Sequence, residues 1–382
     1  MLRAILVDDE IPALESLEEM VMESGSVEIA GTYTDAFEAL DSICTRSVGL
    51  VFLDIEMPGM NGLEFADRLL KTSPDTDVVF VTAYHQYALN AFELNALDYF
   101  LKPVSPERLH LTLAKIEARQ GQRETRTAKP SKGRFRCFGR FEWVLDSEPD
   151  GSVKWRTGKV RELFAYLIHN RGHWVMKDRL QDVLWGEENP EQSRAYLYTC
   201  VYNLRKKLAE LGCEEWLSSD QASYKLDIGE TWCDAEQFRL VMEQLLVASP
   251  VPLERLEEVT ALYRGDFMEE ESYPWAMEVQ EHYREQYLEL LGQLAARYEQ
   301  ARNYASAIDC LRRVLAINPF LDQANESLLC LYASMGDRLS MVKHFEKFSN
   351  QMRTELGIEP LVRTIQLYEH LRHGRSVESF ST

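Results

Sequence analysis

Five short apolar runs recur through residues 1–117: "AILVDD" (4–9), "VEIAGTY" (27–33), "GLVFLD" (49–54), "DVVFVTA" (77–83) and "DYFLKP" (98–103). Helix-length segments separate them. Runs that are apolar almost throughout, rather than at every second position, suit strands covered on both faces, and helix-length connections let such strands lie parallel. The segment is therefore expected to form a doubly wound α/β domain around a five-stranded parallel sheet.

In an open parallel sheet, ligands bind beyond the carboxyl ends of the strands. Those ends carry a polar set: Asp8, Asp9 and Glu10 after the first run, Asp54 after the third, Thr82 in the fourth, and Lys102 before Pro103 in the fifth. A single strand-end aspartate is explained well enough as a helix cap. Several carboxylates crowded at one edge call instead for a cation, and hard oxygen ligands on short loops suit Mg²⁺. With Lys102 as a second positive charge, Thr82 as a hydroxyl donor and a carboxylate able to act as nucleophile, the inventory is that of a phosphoryl site.

The motifs "ILVDDE", "FLDIEMPGMNG", "VTAY" and "DYFLKP", in this order and spacing, resemble the CheY-like receiver domain of bacterial two-component response regulators. The resemblance implies that Asp54 accepts a phosphoryl group from a sensor histidine kinase. It also implies that Asp9, Asp54 and the backbone carbonyl of Glu56 hold Mg²⁺, with Asp8 helping through water. Thr82 and Lys102 would contact the phosphoryl oxygens, and Tyr99 stands where the family has its switch aromatic. The stretch "HQYALNAFELNALDYFLKPVSPERL" is similar to the receiver subtype usually joined to a LytTR output domain, but the residues beyond it do not look like LytTR. An aspartate nucleophile with Mg²⁺ would also fit haloacid-dehalogenase-type phosphatases. Those rely on a second aspartate two positions on, where this chain has Glu56, so an enzyme is not expected.

Residues 118–132, "ARQGQRETRTAKPSK", are nearly devoid of apolar side chains and are expected to be a linker. Short alternating runs over 134–155 suggest a small antiparallel sheet. Helical stretches come next, at about 158–170, 177–185 and 191–211, and then a strand, turn and strand in "EWLSSDQASYKLDI". The third helix places Leu197, Val201, Leu204 and Leu208 on one core-facing stripe. Its other faces carry Arg194, Tyr198, Thr199, Tyr202, Asn203, Arg205, Lys206 and Lys207, the aromatic, amide and basic groups used for groove readout and phosphate anchoring. The motifs "GKVRELFAYLIHNRGHWV", "RLQDVLWGEENPE", "VYNLRKKL" and "SYKLDI" give 133–230 a resemblance to the OmpR/PhoB-type winged helix-turn-helix of SARP-like activators. One departure is Ser223, where that family often has Gly before the wing tyrosine.

Beyond residue 231 the pattern is helical. "RNYASAIDCLRRVL" from Arg302 and "GDRLSMVKHFEKFS" from Gly336 lie 34 residues apart, the tetratricopeptide period. Residues 231–375 resemble the tetratricopeptide-like bacterial transcriptional activation domain of SARP-like regulators, which implies an all-α third domain.

The net charge of −20 looks hostile to nucleic acid, yet the acid is concentrated at the two ends, and residues 131–230 carry as many basic as acidic groups. No apolar run is long enough to span a bilayer. The seven cysteines are scattered without a C-x-x-C pair, which argues against a disulfide framework or a zinc site. The chain is expected to be a cytoplasmic, phosphorylation-controlled regulator that binds double-stranded DNA and forms a homodimer when phosphorylated, with RNA polymerase as a candidate further partner. A signalling adaptor acting through protein contacts alone is the alternative.

Overall fold

The computed structural model describes residues 2–45, 48–73, 76–83, 98–123, 133–146, 151–155, 157–186, 189–246, 251–375 and 380. The chain divides into two compact units, one of residues 1–134 with 144–231 and one of residues 135–143 with 232–382.

In the first unit, β1 (Leu2–Val7), β2 (Val27–Tyr33), β3 (Leu50–Leu53), β4 (Asp77–Thr82) and β5 (Asp98–Leu101) form one sheet in the order β2-β1-β3-β4-β5. Every pairing is parallel. Each residue of β3 is fully buried, and so is nearly all of β1 and β4, as expected of strands covered on both faces. Helices Ile11–Glu23, Ala36–Thr45, Gly62–Thr72 and Pro106–Arg123 make the covering layers. The last of these runs into the segment expected to be linker, and residues 124–132 lie outside the described residues.

The same unit contains helices Gly158–His169, Lys177–Trp185 and Pro190–Glu210. They accompany an antiparallel sheet of β8 (Trp174–Met176), β10 (Ser223–Leu226) and β9 (Leu217–Ser219). Leu197, Val201, Leu204 and Leu208 are buried as the 3.6-residue period requires. In the β9–β10 turn, Asp220 Oδ1 accepts from Ala222 N (2.8 Å), Ser223 N (2.6 Å) and Ser223 Oγ (2.8 Å). The Ser223 hydroxyl is thus a structural part of this turn, a role Gly could not fill.

The strands β6 (Arg134–Arg136) and β7 (Glu142–Val144), read from sequence as part of the winged-helix segment, share a sheet with β11 (Trp232–Cys233) in the order β11-β6-β7. Residues 135–143 accordingly group with the second unit. The reason is one fully buried carboxylate. Asp234 accepts from Cys137 N (2.7 Å), Ala235 N (2.7 Å) and Phe138 N (3.3 Å), with Arg264 at 3.5 Å. Phe138 then seats its ring among Phe238, Tyr263, Phe267 and Tyr283, with centroids 4.9–6.5 Å away. Nothing in the alternation of 134–144 names the partner of that strand pair, which lies about a hundred residues on.

The rest of the second unit is helical: Asp234–Leu246, Leu253–Leu262, Ala276–Gln300, Tyr304–Ile317, Asp322–Ser334, Arg338–Gln351 and Val362–Arg372. The expected repeat is present down to its backbone bonds. Asn303 N donates to Tyr298 O (2.8 Å) and Asp337 N to Tyr332 O (2.9 Å), each pair displaced by the same 34 residues. Asn303 caps Ser306 N and Asp337 caps Ser340 N in the same register. Arg302 and Gly336, at φ 57° and 72°, make the equivalent left-handed turn.

Asp234→Ala would strand three buried N–H groups. We expect the unfolding transition of the second unit to lose about 3 kcal/mol in urea titration. Asp234→Asn keeps one acceptor oxygen and should lose less.

Candidate functional site

The edge of the parallel sheet gathers the residues its strand ends supply. Asp8 comes directly after β1, and its Oδ1 accepts from Glu10 N at 3.0 Å. Asp54 comes directly after β3; its N–H donates to Val7 O at 2.9 Å and its Oδ1 accepts from Ile55 N at 2.6 Å. Asp8 and Asp54 are 3% and 7% exposed. Lys102, after β5, joins them: its Nζ is 2.7 Å from Asp8 Oδ2, 2.8 Å from Asp54 Oδ2 and 3.7 Å from Glu10 Oε2. Lys102 N also donates to Thr82 O at 2.9 Å, carrying the β4–β5 ladder one step further and setting the lysine over the site.

Burial pushes the Asp8 carboxyl above its usual range, against the opposing pull of Lys102 and the Glu10 N–H. Burial alone would lower the Lys102 ammonium, but its hydrogen bonds to Asp54 and Asp8 outweigh it, so the lysine is held above its usual value. One lysine therefore serves a cluster with a surplus of negative charge.

Oxygens of Asp8, Asp9 and Asp54 lie within 4.8 Å of one another, with Asp9 exposed. Three hard carboxylate donors with surplus negative charge and one open side fit a small divalent cation. Thr82 is fully buried at the end of β4, and Glu56 is exposed on the loop after Asp54. Tyr99 occupies β5 opposite Phe80, but its side chain lies outside the described residues.

The loop beyond Asp54 is fixed by Gly62, whose N–H donates to Ile55 O at 2.8 Å. A Cβ there would stand 2.0 Å from the Asp54 carbonyl oxygen, which only glycine avoids. Asn61 caps the helix that starts at Gly62, its side chain accepting from Leu63 N at 2.8 Å.

The eight residues singled out on helix Pro190–Glu210 divide into several settings. Arg194 is exposed, and Lys207 is partly exposed and 3.3 Å from Glu210. Thr199 is buried and its hydroxyl donates to Ala195 O at 3.0 Å. Asn203 is 7% exposed. Arg205 is buried against the wing, donating to Leu217 O (2.8 Å) and Ser219 Oγ (2.9 Å). Tyr202 is 2% exposed and, with Ala195, belongs to the same apolar cluster as Leu63, Ala66, Leu69 and Val78 of the parallel-sheet domain; Tyr198 packs at its margin. Lys206 Nζ reaches Asp77 Oδ1 at 3.3 Å. The amphipathic pattern identifies one stripe as core, but this helix is also covered on a second side.

Lys177 was not apparent from the sequence. Its Nζ donates to Gln221 O at 3.0 Å and lies 5.2 Å from the ring centroids of Tyr198 and Tyr224, tying the wing turn to the third helix. Its signal was only a basic residue opening a helix.

This fold, with its carboxylates and lysine at the sheet edge, is that of a response-regulator receiver followed by further domains. The match to the response regulator receiver domain covers residues 4–114, that to the transcriptional regulatory protein C-terminal domain covers 152–219, and that to the bacterial transcriptional activator domain covers 248–372. The chain thus combines a response-regulator receiver, an OmpR/PhoB-type winged helix and a SARP-like bacterial transcriptional activator domain. An uncharacterized response regulatory protein of Vibrio cholerae is 45% identical over 149 residues, 38% of this chain and 61% of that protein. The transcriptional regulatory protein YpdB of Escherichia coli is 34% identical over 130 residues, 34% of this chain and 53% of that protein. This chain thus spans roughly half to three-fifths of the length of these relatives. The structure of Mycobacterium tuberculosis EmbR, in complex with a low-affinity phosphopeptide, aligns with 65% of this chain and 67% of that one at 20% identity and a TM-score of 0.54, a likeness of fold. Among the described residues, no helix is long and apolar enough to cross a membrane.

Gly62→Ala should destabilise the first unit by about 2–3 kcal/mol, because backbone rather than a side chain meets the added methyl group. Thermal unfolding of the variant checks this.

Proposed function

We propose that the protein is a cytoplasmic, phosphorylation-controlled DNA-binding transcriptional regulator, with Asp54 as phosphoryl acceptor and a sensor histidine kinase as donor. The supporting observation is the Lys102 ammonium held between the Asp8 and Asp54 carboxylates at the carboxyl edge of the sheet. An Asp54 Oδ attacks the phosphorus of the kinase phosphohistidine; a P–O bond forms as the P–N bond breaks, and the imidazole leaves with its electron pair. Lys102 balances the charge of the acceptor and is placed to follow the phosphoryl oxygens. Ile55 N–H holds Oδ1, which leaves Oδ2 on the lysine side. Asp8, Asp9, Asp54 and the Glu56 carbonyl would hold Mg²⁺, which when bound neutralises charge on the transferring oxygens. Thr82 would receive the remaining oxygen, and Tyr99 would respond to the movement of Thr82. The chain's own chemistry ends at the phosphoaspartate, so it acts as a switch and not as an enzyme.

Helix Gly62–Thr72 begins where the acceptor loop ends, and it carries Leu63, Ala66 and Leu69 into the cluster that buries Tyr202 and Ala195. That route couples the acceptor to the helix expected to read DNA. In the arrangement described, Tyr202 and Lys206 are engaged by the receiver, so the unphosphorylated protein is the weak DNA binder. Release would return Tyr198, Tyr202 and Lys206 to the face already holding Arg194 and Lys207. Thr199, Asn203 and Arg205 would orient that face and brace the wing. Phosphorylation would then favour a homodimer on DNA, with RNA polymerase as a further partner. The adaptor reading draws on the same burial, since a helix covered in this way also suits protein contacts alone.

Acetyl phosphate with Mg²⁺ should label the wild-type protein and leave Asp54→Asn unlabelled, and EDTA should abolish labelling. Labelling that survives Asp54→Asn would refute the acceptor assignment. Asp77→Asn, which weakens the hold on Lys206, should raise the affinity of unphosphorylated protein for duplex DNA by about tenfold, the equivalent of ~1.4 kcal/mol. Fluorescence anisotropy at low and high salt measures this, and absence of salt-dependent binding in both phosphorylation states would favour the adaptor.

A further inference from the structure

The second unit carries a groove of about 490 Å³ formed by helices Tyr304–Ile317, Asp322–Ser334 and Arg338–Gln351. Its cations are Arg312, Lys343 and Lys347, and no carboxylate lines it. This stands out in a chain of net charge −20. Lys343 and Lys347 are exposed and sit four residues apart on one helix, where like charges repel. Arg312 donates to the neutral Tyr332 hydroxyl at 3.0 Å, a contact that fixes the guanidinium without neutralising it. Asp337, which caps the helix through Ser340 N, lies outside the lining and interacts with Lys343 alone of the three cations. In the wall, His344 Nε2 is buried without a hydrogen-bond partner among the described residues. Burial, with Lys347 and Arg312 nearby, holds its imidazole neutral with a pKa lowered to about 4.

Three cations in a lining without a carboxylate are what a site for an anionic group displays before it is filled. The remaining lining decides which anion. Leu315, Ala316 and Pro319 give the lining exposed apolar surface, Leu328 and Phe348 being buried, and such surface is of no use to a phosphodiester backbone but is what the apolar side chains of a peptide cover. A cleft of this volume holds a few side chains rather than a rigid duplex.

We propose that this groove docks a short acidic amphipathic segment of a partner protein, its apolar side chains on the surface of Leu315, Ala316 and Pro319 and its carboxylates against Arg312, Lys343 and Lys347. The site is independent of whether Asp54 accepts a phosphoryl group.

The test is fluorescence polarisation of the full chain with a fluorescein-labelled acidic peptide, EDLEDFEDL, and its amide counterpart, QNLQNFQNL. The acidic peptide should bind with a micromolar Kd that weakens with salt, and the amide counterpart at least tenfold more weakly. K343E with K347E should weaken the acidic peptide at least tenfold; both lysines are exposed, so an unchanged thermal transition verifies that the fold is intact. Equal binding of the two peptides, or no effect of the double substitution, overturns the proposal. So does displacement of the peptide by duplex DNA in a manner that the same substitutions abolish, which would make the groove a nucleic-acid contact. Self-association lost in the double variant, with no peptide binding by wild type, would instead assign the groove to a second copy of the chain.

Discussion

Two carboxylates, Asp8 and Asp54, are drawn out of water at the edge of a parallel sheet, and the Lys102 ammonium between them makes that burial tolerable. An arrangement of this kind depends on all its members, since removing one partner from a buried charged set costs ~3–5 kcal/mol. The three residues come from the ends of β1, β3 and β5, so the constellation exists only when three strands distant in sequence are in register. The fully apolar β3 and the glycine after its loop answer the same requirement. A strand that delivers a charge to a fixed point cannot slip, and the chain beyond it must turn away in little space.

The first unit also joins the site at the sheet edge to a distant helix by packing. Helix Gly62–Thr72 is anchored at one end by the loop after Asp54 and contributes to a cluster that includes the third helix of the winged-helix segment. The packing is dense and apolar, the kind that shifts between discrete arrangements rather than yielding gradually. The Lys206–Asp77 contact lies at its border, where a polar pair sets orientation more than it adds stability.

Much of this was legible in the sequence. The parallel strands, the polar residues at their ends and the core stripe of helix Pro190–Glu210 are consequences of periodicity, which records whether a side chain meets a core at all. Periodicity does not record which core. Tyr202 and Arg205 read as surface groups because the stripe of Leu197, Val201, Leu204 and Leu208 already accounts for one buried side, yet one of them packs on the receiver and the other on the wing. The same limit applies to Phe135–Trp143. Their alternation identifies strands, but the Asp234 carboxylate that claims their N–H groups is a long-range partner that no local pattern announces. The gathering of Asp8, Asp9, Asp54 and Lys102 was readable because parallel strands bring their ends to one edge, whereas a surface defined by shape alone leaves no such mark.

The backbone turns at Arg302 and Gly336 repeat one set of hydrogen bonds at an interval of 34 residues. Each helical hairpin therefore closes by itself and depends on the rest of the array only through its neighbour. A region built this way stores stability in the joints between hairpins rather than in one central core. Arrays of this kind open locally, a hairpin at a time, at lower cost than they unfold throughout. An output domain of that kind can loosen at one end while the hairpin at the other still holds its shape.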